Sequence, residues 1–308
     1  MHLKNKKILV TGGAGFIGSH TVDELIKKGA KVVVIDNLST GRKENINPKA
    51  KFYKLNIKNP KIEEIIRKEK PEIIYHFAFF VLVPKSVKDP LLDLDCVIGS
   101  IRILKAVRSL RKFEKFVFAS SSFIYGNTNK VPTRETEPIM PVSSYVVSKH
   151  AIENYLEFFR KTYNLPYVII RYPAVYGPRQ ITGAMADYIR KLSKGKQADI
   201  WGKGDKTRDY IYIDDVVSAN LMALNTRNDC DKPIFNIGTS KETTLKQVYW
   251  KIAELLDKKP SPIYHHDRKG EQVRCCLDAT KIKAELGWRY KTSLIDGLKK
   301  TLRYWKLI

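Results

Sequence analysis

A chain of 308 residues, 43 % of them hydrophobic, suits one large α/β domain or a domain and a half, and it holds no run of eighteen or more apolar residues with which to span a membrane. Its 56 lysines and arginines exceed its 32 acids by 24, but they are scattered singly and in pairs, without a basic tail or arginine-rich arm; this pattern describes a solvated, anion-attracting surface and gives no specific nucleic-acid partner. The basic opening lacks the apolar stretch and small-residue cleavage site of a signal peptide, and Cys96, Cys230, Cys275 and Cys276 follow neither a disulfide framework nor a zinc spacing, so a cytoplasmic setting is expected.

In chain order, Lys7–Thr11 reads as a buried strand, Ile17–Lys28 as a helix and Lys31–Asp36 as a second strand. A helix over Glu63–Lys70 precedes a strand over Glu72–Phe77. Leu91–Leu110 is helical, Lys115–Ala119 extended, Tyr145–Tyr163 helical and Tyr167–Arg171 extended. Short β-branched runs alternating with amphipathic helices predict an α/β fold, a doubly wound parallel sheet of Rossmann type. After Arg171, glycine and proline become denser and the elements shorten, up to helices near Leu245–Asp257 and Leu294–Tyr304. The expected division is a dinucleotide-binding domain over 1–172 and a smaller substrate-binding domain over 173–308. Tyr210–Ile213 is strand-like, so a segment near 209–238 is expected to return to the first domain.

The first strand runs into Gly13-Ala14-Gly15-Phe16-Ile17-Gly18, and Gly12 adds a second spacing. Glycines let the backbone turn tightly and approach a pyrophosphate, which the helix N-terminus then faces with its dipole. Asp36 ends the next strand, where a carboxylate accepts hydrogen bonds from ribose hydroxyls and repels a 2′-phosphate; NAD is therefore expected over NADP. Tyr145 and Lys149, four apart, share one helix face. An ammonium near a phenol favours the phenolate, which can then take a proton from a hydroxyl. Ser120, Ser121 and Ser122 follow a strand at the sheet edge where ligands collect. His265 and His266, adjacent in a loop, have no further ligands to complete a metal site, and no metal is expected.

These residues resemble the extended short-chain dehydrogenase/reductases, and within them the NAD-dependent epimerase/dehydratase family, most like its UDP-glucose 4-epimerases. The resemblance spans nearly the whole chain. It rests on Thr11–His20, Asp36–Gly41, Tyr75–Ala78, Ser121–Gly126, Arg171–Pro178, Thr207–Tyr210, Phe235–Gly238, Arg268–Glu271 and Leu286–Trp288. It implies Ser121, Tyr145 and Lys149 as the catalytic set. It implies an NAD site made of Gly12, Gly13, Gly15, Phe16, Ile17, Gly18, Asp36, Asn37, Ser39, Thr40, Gly41, Asn56, Ile57, Phe77, Ala78, Phe79, Cys96, Tyr172 and Pro173, together with Tyr145 and Lys149. Ser121, Ser122, Tyr145, Ala174, Arg208, Arg268 and Cys275 would meet a UDP-sugar, the two arginines holding its diphosphate.

The implied activity is 4-epimerisation of UDP-glucose and UDP-galactose, and of their N-acetylated counterparts, through a transient 4-keto sugar on tightly bound NAD. The implied assembly is a homodimer. Dehydratases and decarboxylases of this kind carry acids beside the catalytic hydroxyl residue, where this chain has Ser122 and Phe123; a UDP-uronic acid 4-epimerase or another NAD-dependent sugar-nucleotide epimerase/dehydratase is the neighbouring alternative, and a nucleic-acid-binding or sensor scaffold the distant one. The chain departs from the family pattern at Phe79, where a small residue is usual, and at Cys96, Asn56 and Ala174. Cys275, a few residues after the Arg268 motif, stands where side-chain size gates the sugar.

Overall fold

The computed structural model describes residues 3–79, 88–259, 261–267 and 272–308. Its centre is a seven-stranded sheet: β1 (Lys7–Thr11), β2 (Lys31–Asp36), β3 (Lys51–Lys54), β4 (Ile73–His76), β5 (Lys115–Ser121), β6 (Tyr167–Tyr172) and β11 (Ile234–Asn236). The spatial order is β11-β6-β5-β4-β1-β2-β3, and every pairing is parallel. Strand order reverses between β1 and β4, which opens a crevice beyond their C-terminal ends.

Alternation within the strands explains why both faces are covered. Ile8 and Val10, Val32 and Val34, and Val117 and Ala119 enter one buried cluster; Leu9, Val33 and Ile35, and Phe116 and Phe118 enter the other. A period of two with both phases apolar demands a layer on each side. On one side lie α2 (Lys61–Glu69), α3 (Leu91–Val107) and α4 (Ser144–Tyr163). On the other lie α1 (Phe16–Lys27) and α6 (Ile213–Met222), which pack together. Asn220 of α6 clamps this layer: its backbone carbonyl accepts from Tyr75 Oη at 3.0 Å, its side-chain oxygen accepts from Tyr172 Oη at 2.6 Å, and its amide donates to Thr21 Oγ1 at 3.2 Å.

The remaining elements are α5 (Ala184–Leu192), α7 (Leu245–Leu255), α8 (Thr280–Leu286), α9 (Leu294–Tyr304) and short strands. β7 (Ala174–Tyr176) pairs with β10 (Tyr210–Tyr212), β9 (Thr207–Arg208) with β12 (Thr243–Thr244), and β8 (Asp199–Trp201) with β13 (Ile263–His265). Two sequence expectations change here. Tyr210–Tyr212 stays outside the main sheet, and the strand that joins it is Ile234–Asn236. Ile213, expected to end a strand, begins α6, and the aspartates behind it fall in that helix's first turn, where negative charge meets the positive dipole end. Among the described residues, no helix is long and apolar enough to cross a membrane.

Candidate active site

The glycine loop leaves β1 through Gly12, whose φ of +71° suits glycine. Space dictates the rest. A Cβ on Gly12 would lie 2.7 Å from the Ala78 nitrogen, and one on Gly18 would lie 2.2 Å from the Gly12 oxygen. β1, the end of β4 and the start of α1 thus converge where no side chain fits. Gly15 is the N-cap of α1; no side chain caps that helix and no acid occupies its first turn, so its positive end is left for an anion.

Asp36 folds over this loop. One carboxylate oxygen accepts from Ala14 N at 3.0 Å and the other from Leu38 N at 2.8 Å. Burial raises its pKa, and the two N–H donors work against that rise. Asn37 turns the chain by accepting from Ser39 N at 3.0 Å, and a Cβ on Gly41 would sit 3.0 Å from an Asp36 oxygen. The 36–41 turn therefore closes on the glycine loop. This cradle, with an acid at one end and a helix dipole at the other, fits a dinucleotide's adenosine and pyrophosphate. Asn56 lies exposed beyond it and holds Lys58 N through its side-chain oxygen at 3.0 Å; Ile57 is buried against Gly99.

Across the crevice, β5 and α4 bring the expected catalytic residues together. The Tyr145 phenol lies near enough to the Ser121 side chain for that hydroxyl to lower its pKa, and Ser121 Oγ accepts from Phe123 N at 3.2 Å. Lys149, one helical turn further, donates from Nζ to the Ala119 carbonyl at 2.6 Å. Burial pushes the Tyr145 phenol up to about 12, an effect the Ser121 hydroxyl opposes, and pushes the Lys149 ammonium down to about 7. Aromatic rings surround that ammonium: Nζ is 3.9 Å from the Phe79 centroid, 4.8 Å from that of Phe118 and 5.9 Å from that of Tyr145. Phe79 also meets Tyr145 edge-on, with centroids 5.4 Å apart.

The three serines divide their roles. Ser121 meets Tyr145, Ser122 Oγ lies 3.0 Å from the Cys275 thiol, and Ser120 Oγ has no partner among the described residues. Cys275 is buried, which pushes its thiol up to about 11, and the Arg208 guanidinium acts against that rise. Arg208 stands 5.8 Å from the Phe123 ring and donates to the Thr207 carbonyl at 2.7 Å. Ser121, Ser122, Tyr145, Arg208 and Cys275 therefore form one neighbourhood. The buried Asp209 holds it together by accepting from Thr239, Ser240 and Leu277, which anchors the segment carrying Cys275.

Ala174 sits on the margin in β7, its N–H bonded to the Asp209 carbonyl at 3.0 Å. Tyr172, next to Pro173, turns its ring into the α1-side core, with its hydroxyl committed to Asn220. Cys96 Sγ faces the Leu92 carbonyl at 3.6 Å. Arg268 lies outside the described residues.

Sequence reasoning missed Asp93. It is fully buried in the first turn of α3, and its carboxylate accepts from Ser144 Oγ at 2.8 Å, which ties α3 to the residue before Tyr145. Its charge raises the pKa of both Tyr145 and Lys149. His76 of the Tyr75–Ala78 motif is structural: buried and held neutral, with its pKa down to about 3, it bridges Thr11 Oγ1 at 2.6 Å and Ser100 Oγ at 2.8 Å.

Comparison with known proteins agrees with this geometry. The profile of the NAD dependent epimerase/dehydratase family matches residues 8–238. The solved UDP-glucose 4-epimerase of Thermotoga maritima, with UDP-glucose, is 41 % identical, with a TM-score of 0.93 over 97 % of this chain and 98 % of its own. That of Thermus thermophilus, complexed with NAD, is 35 % identical, with a TM-score of 0.92 over 97 % and 99 %. A UDP-N-acetylglucosamine 4-epimerase from Methanobrevibacter ruminantium, complexed with UDP-N-acetylmuramic acid, is 29 % identical, with a TM-score of 0.91 over 98 % and 99 %. A sequence match across most of the chain, meeting a cradle shaped for a dinucleotide, means that this protein is an NAD-using enzyme and belongs to the NAD-dependent epimerase/dehydratase family.

Proposed function

We propose that the enzyme is a UDP-sugar 4-epimerase that interconverts UDP-glucose and UDP-galactose and also accepts the N-acetylated pair. The observation that carries this reading is the placing of Ser121 beside Tyr145, with Lys149 on the same helix face and no acid at Ser122 or Phe123. Among the described residues the carboxylate acting on Tyr145 is Asp93, and it is engaged by Ser144. The positions that follow Ser121 therefore supply no acid for elimination of water or loss of a carboxyl group, whereas proton transfer alone needs none there.

In this reading Gly12–Gly18 and Asp36 would hold NAD, which would supply the hydride acceptor and donor for the sugar's C4. Ser121 holds the sugar 4-oxygen against Tyr145. Tyr145 takes the 4-hydroxyl proton and returns it once the 4-keto sugar has turned over in the site. A phenol pushed up to about 12 is a weak base at neutral pH; in this reading the protonated Lys149, 5.9 Å from the Tyr145 ring centroid, favours its ionised form. Arg208 is assigned to the diphosphate, and Arg268 is assigned to it on its sequence motif alone, since a guanidinium fork suits phosphate oxygens. Cys275, small beside Ser122, leaves room for a 2-acetamido group. The elements after Pro173 that do not return to the sheet or to α1 form the substrate-binding part.

The active assembly is proposed to be a homodimer through α3 and α4, whose outer faces expose Leu91, Leu94, Ile98, Val147, Tyr155 and Phe158. No disulfide links the cysteines, which suits a cytoplasmic enzyme. The deciding experiment incubates the protein with UDP-, dTDP-, GDP- and ADP-sugars and identifies the products. Formation of the 4-epimer from UDP-glucose or UDP-N-acetylglucosamine is expected. A 4-keto-6-deoxy product, or turnover of UDP-uronic acids alone, would replace this reading.

A further inference from the structure

We propose that Phe79 competes with the dinucleotide for Lys149 and thereby sets how readily the cofactor exchanges. The inference rests on the family's use of NAD and is independent of which sugar is turned over. Its first support is position. The Phe77–Ala78 backbone presses on the glycine loop so closely that a Cβ on Gly12 would lie 2.9 Å from the Phe77 carbonyl carbon and 2.7 Å from the Ala78 nitrogen. One residue further on, the Phe79 ring reaches the other end of the crevice, edge-on to Tyr145 with centroids 5.4 Å apart. A molecule anchored on Gly12–Gly18 and extending to Tyr145 runs past this side chain.

The second support is what the ring touches. Lys149 is buried, and Ala119 O at 2.6 Å takes one of its three N–H donors. The ring of Phe79, with Nζ 3.9 Å from its centroid, is the nearest aromatic face to the ammonium among the described residues, ahead of Phe118 at 4.8 Å. A desolvated ammonium over a phenyl face is a favourable contact. A bound dinucleotide offers hydroxyl oxygens to the same ammonium, and it gains them only by displacing this ring. Binding therefore carries a cost that a small residue at position 79 would not impose. Phe79 is thus a positioning residue for Lys149 and a competitor for it during cofactor loading.

The test needs no sugar, so an incorrect sugar assignment leaves its outcome intact. Purified protein stripped of nucleotide is titrated with NAD by calorimetry, for the parent, Phe79→Leu and Phe79→Ala. Leucine keeps apolar bulk but has no aromatic face; alanine removes both. Both variants are expected to bind NAD at least fivefold more tightly and to retain more NAD through gel filtration, as read by mass spectrometry. If alanine at this position prevents folding, as judged by circular dichroism, the leucine variant decides alone. An unchanged or weakened affinity in Phe79→Leu overturns the proposal and makes Phe79 a support for the cofactor.

Discussion

Tyr145 shows most directly how one atom carries the proposed chemistry. Its phenol lies near Ser121 at the end of β5, and burial makes it reluctant to ionise. Tyr145→Phe removes the group that moves the proton and keeps the ring packed on Phe79. Turnover in a product assay is expected to fall by about 10²- to 10⁴-fold, the usual worth of a positioned acid–base group, while NAD content by mass spectrometry stays at the parent's level. Substantial remaining turnover would remove Tyr145 from its role. Cys275 is the residue proposed to set selectivity. Its thiol touches Ser122 Oγ, next to the serine that meets Tyr145. Cys275→Tyr fills the space beside the sugar and should lower turnover of N-acetylated UDP-hexoses roughly tenfold or more relative to the plain ones, a loss comparable to refusing a few methylene-sized groups. Equal losses on both substrates would place Cys275 away from the sugar. Both residues were legible in the sequence because they stand at fixed offsets from motifs. Asp93 and Phe118 were not, since each matters through partners on other elements: Asp93 through Ser144 of α4, and Phe118 through the Lys149 ammonium.

At the scale of elements, legibility follows burial. β1 and β2 were read with their true bounds because strands covered on both faces are unbroken apolar runs. β3, Lys-Phe-Tyr-Lys at the sheet edge, is half exposed and gives no such run. α6 begins straight after β10 in a β-branched stretch with no breaker, and tertiary contacts decide it: Asp215 accepts from Lys291 N at 2.9 Å and Thr292 N at 3.0 Å. α4 illustrates the cost of placing function on an element. Its Lys149 is buried, with a pKa pushed from 10.5 down to about 7, whereas the unfolded chain keeps its proton up to about 10.5. Between these values the native state binds fewer protons than the unfolded one, so the buried lysine costs most at and below pH 7 and its penalty fades as pH rises toward 10.5. Lys149→Met, similar in length and apolar, should raise stability at pH 7 by about 2–4 kcal/mol while lowering turnover steeply. The gain should shrink as melting is followed from pH 7 to pH 10. A variant less stable than the parent across that range would mean that the Ala119 hydrogen bond outweighs the burial cost.

For the whole molecule, the charge excess of 24 marked the sequence more than any other bulk property, yet it locates no site. Its clearest consequence is a positive field that raises the encounter rate with anionic sugar nucleotides. Assembly is more informative, and it depends on a pattern the sequence hid. α3 and α4 pack side by side, and each keeps a second apolar face turned outward: Leu91, Leu94 and Ile98 on one, Val147, Tyr155 and Phe158 on the other. Read singly, these residues look like core positions; only the fold reveals that the sheet is already covered by other side chains of the same helices. An exposed apolar stripe shared by two neighbouring helices is costly for a monomer, and a second copy presenting the same stripe across a two-fold axis would bury both. Leu94 is 49 % exposed and Phe158 is 48 % exposed, so replacing them disturbs little within the chain. The parent is expected to run as a dimer in light scattering at micromolar concentration. The double variant Leu94→Glu, Phe158→Glu should run as a monomer with its circular dichroism unchanged, because like charges would then face each other across the interface at the centre of the patch. NAD binding should survive, since the glycine cradle lies at the other side of the sheet's crevice from these outer faces. A parent that is monomeric at these concentrations, or a double variant that remains dimeric, would move the interface elsewhere.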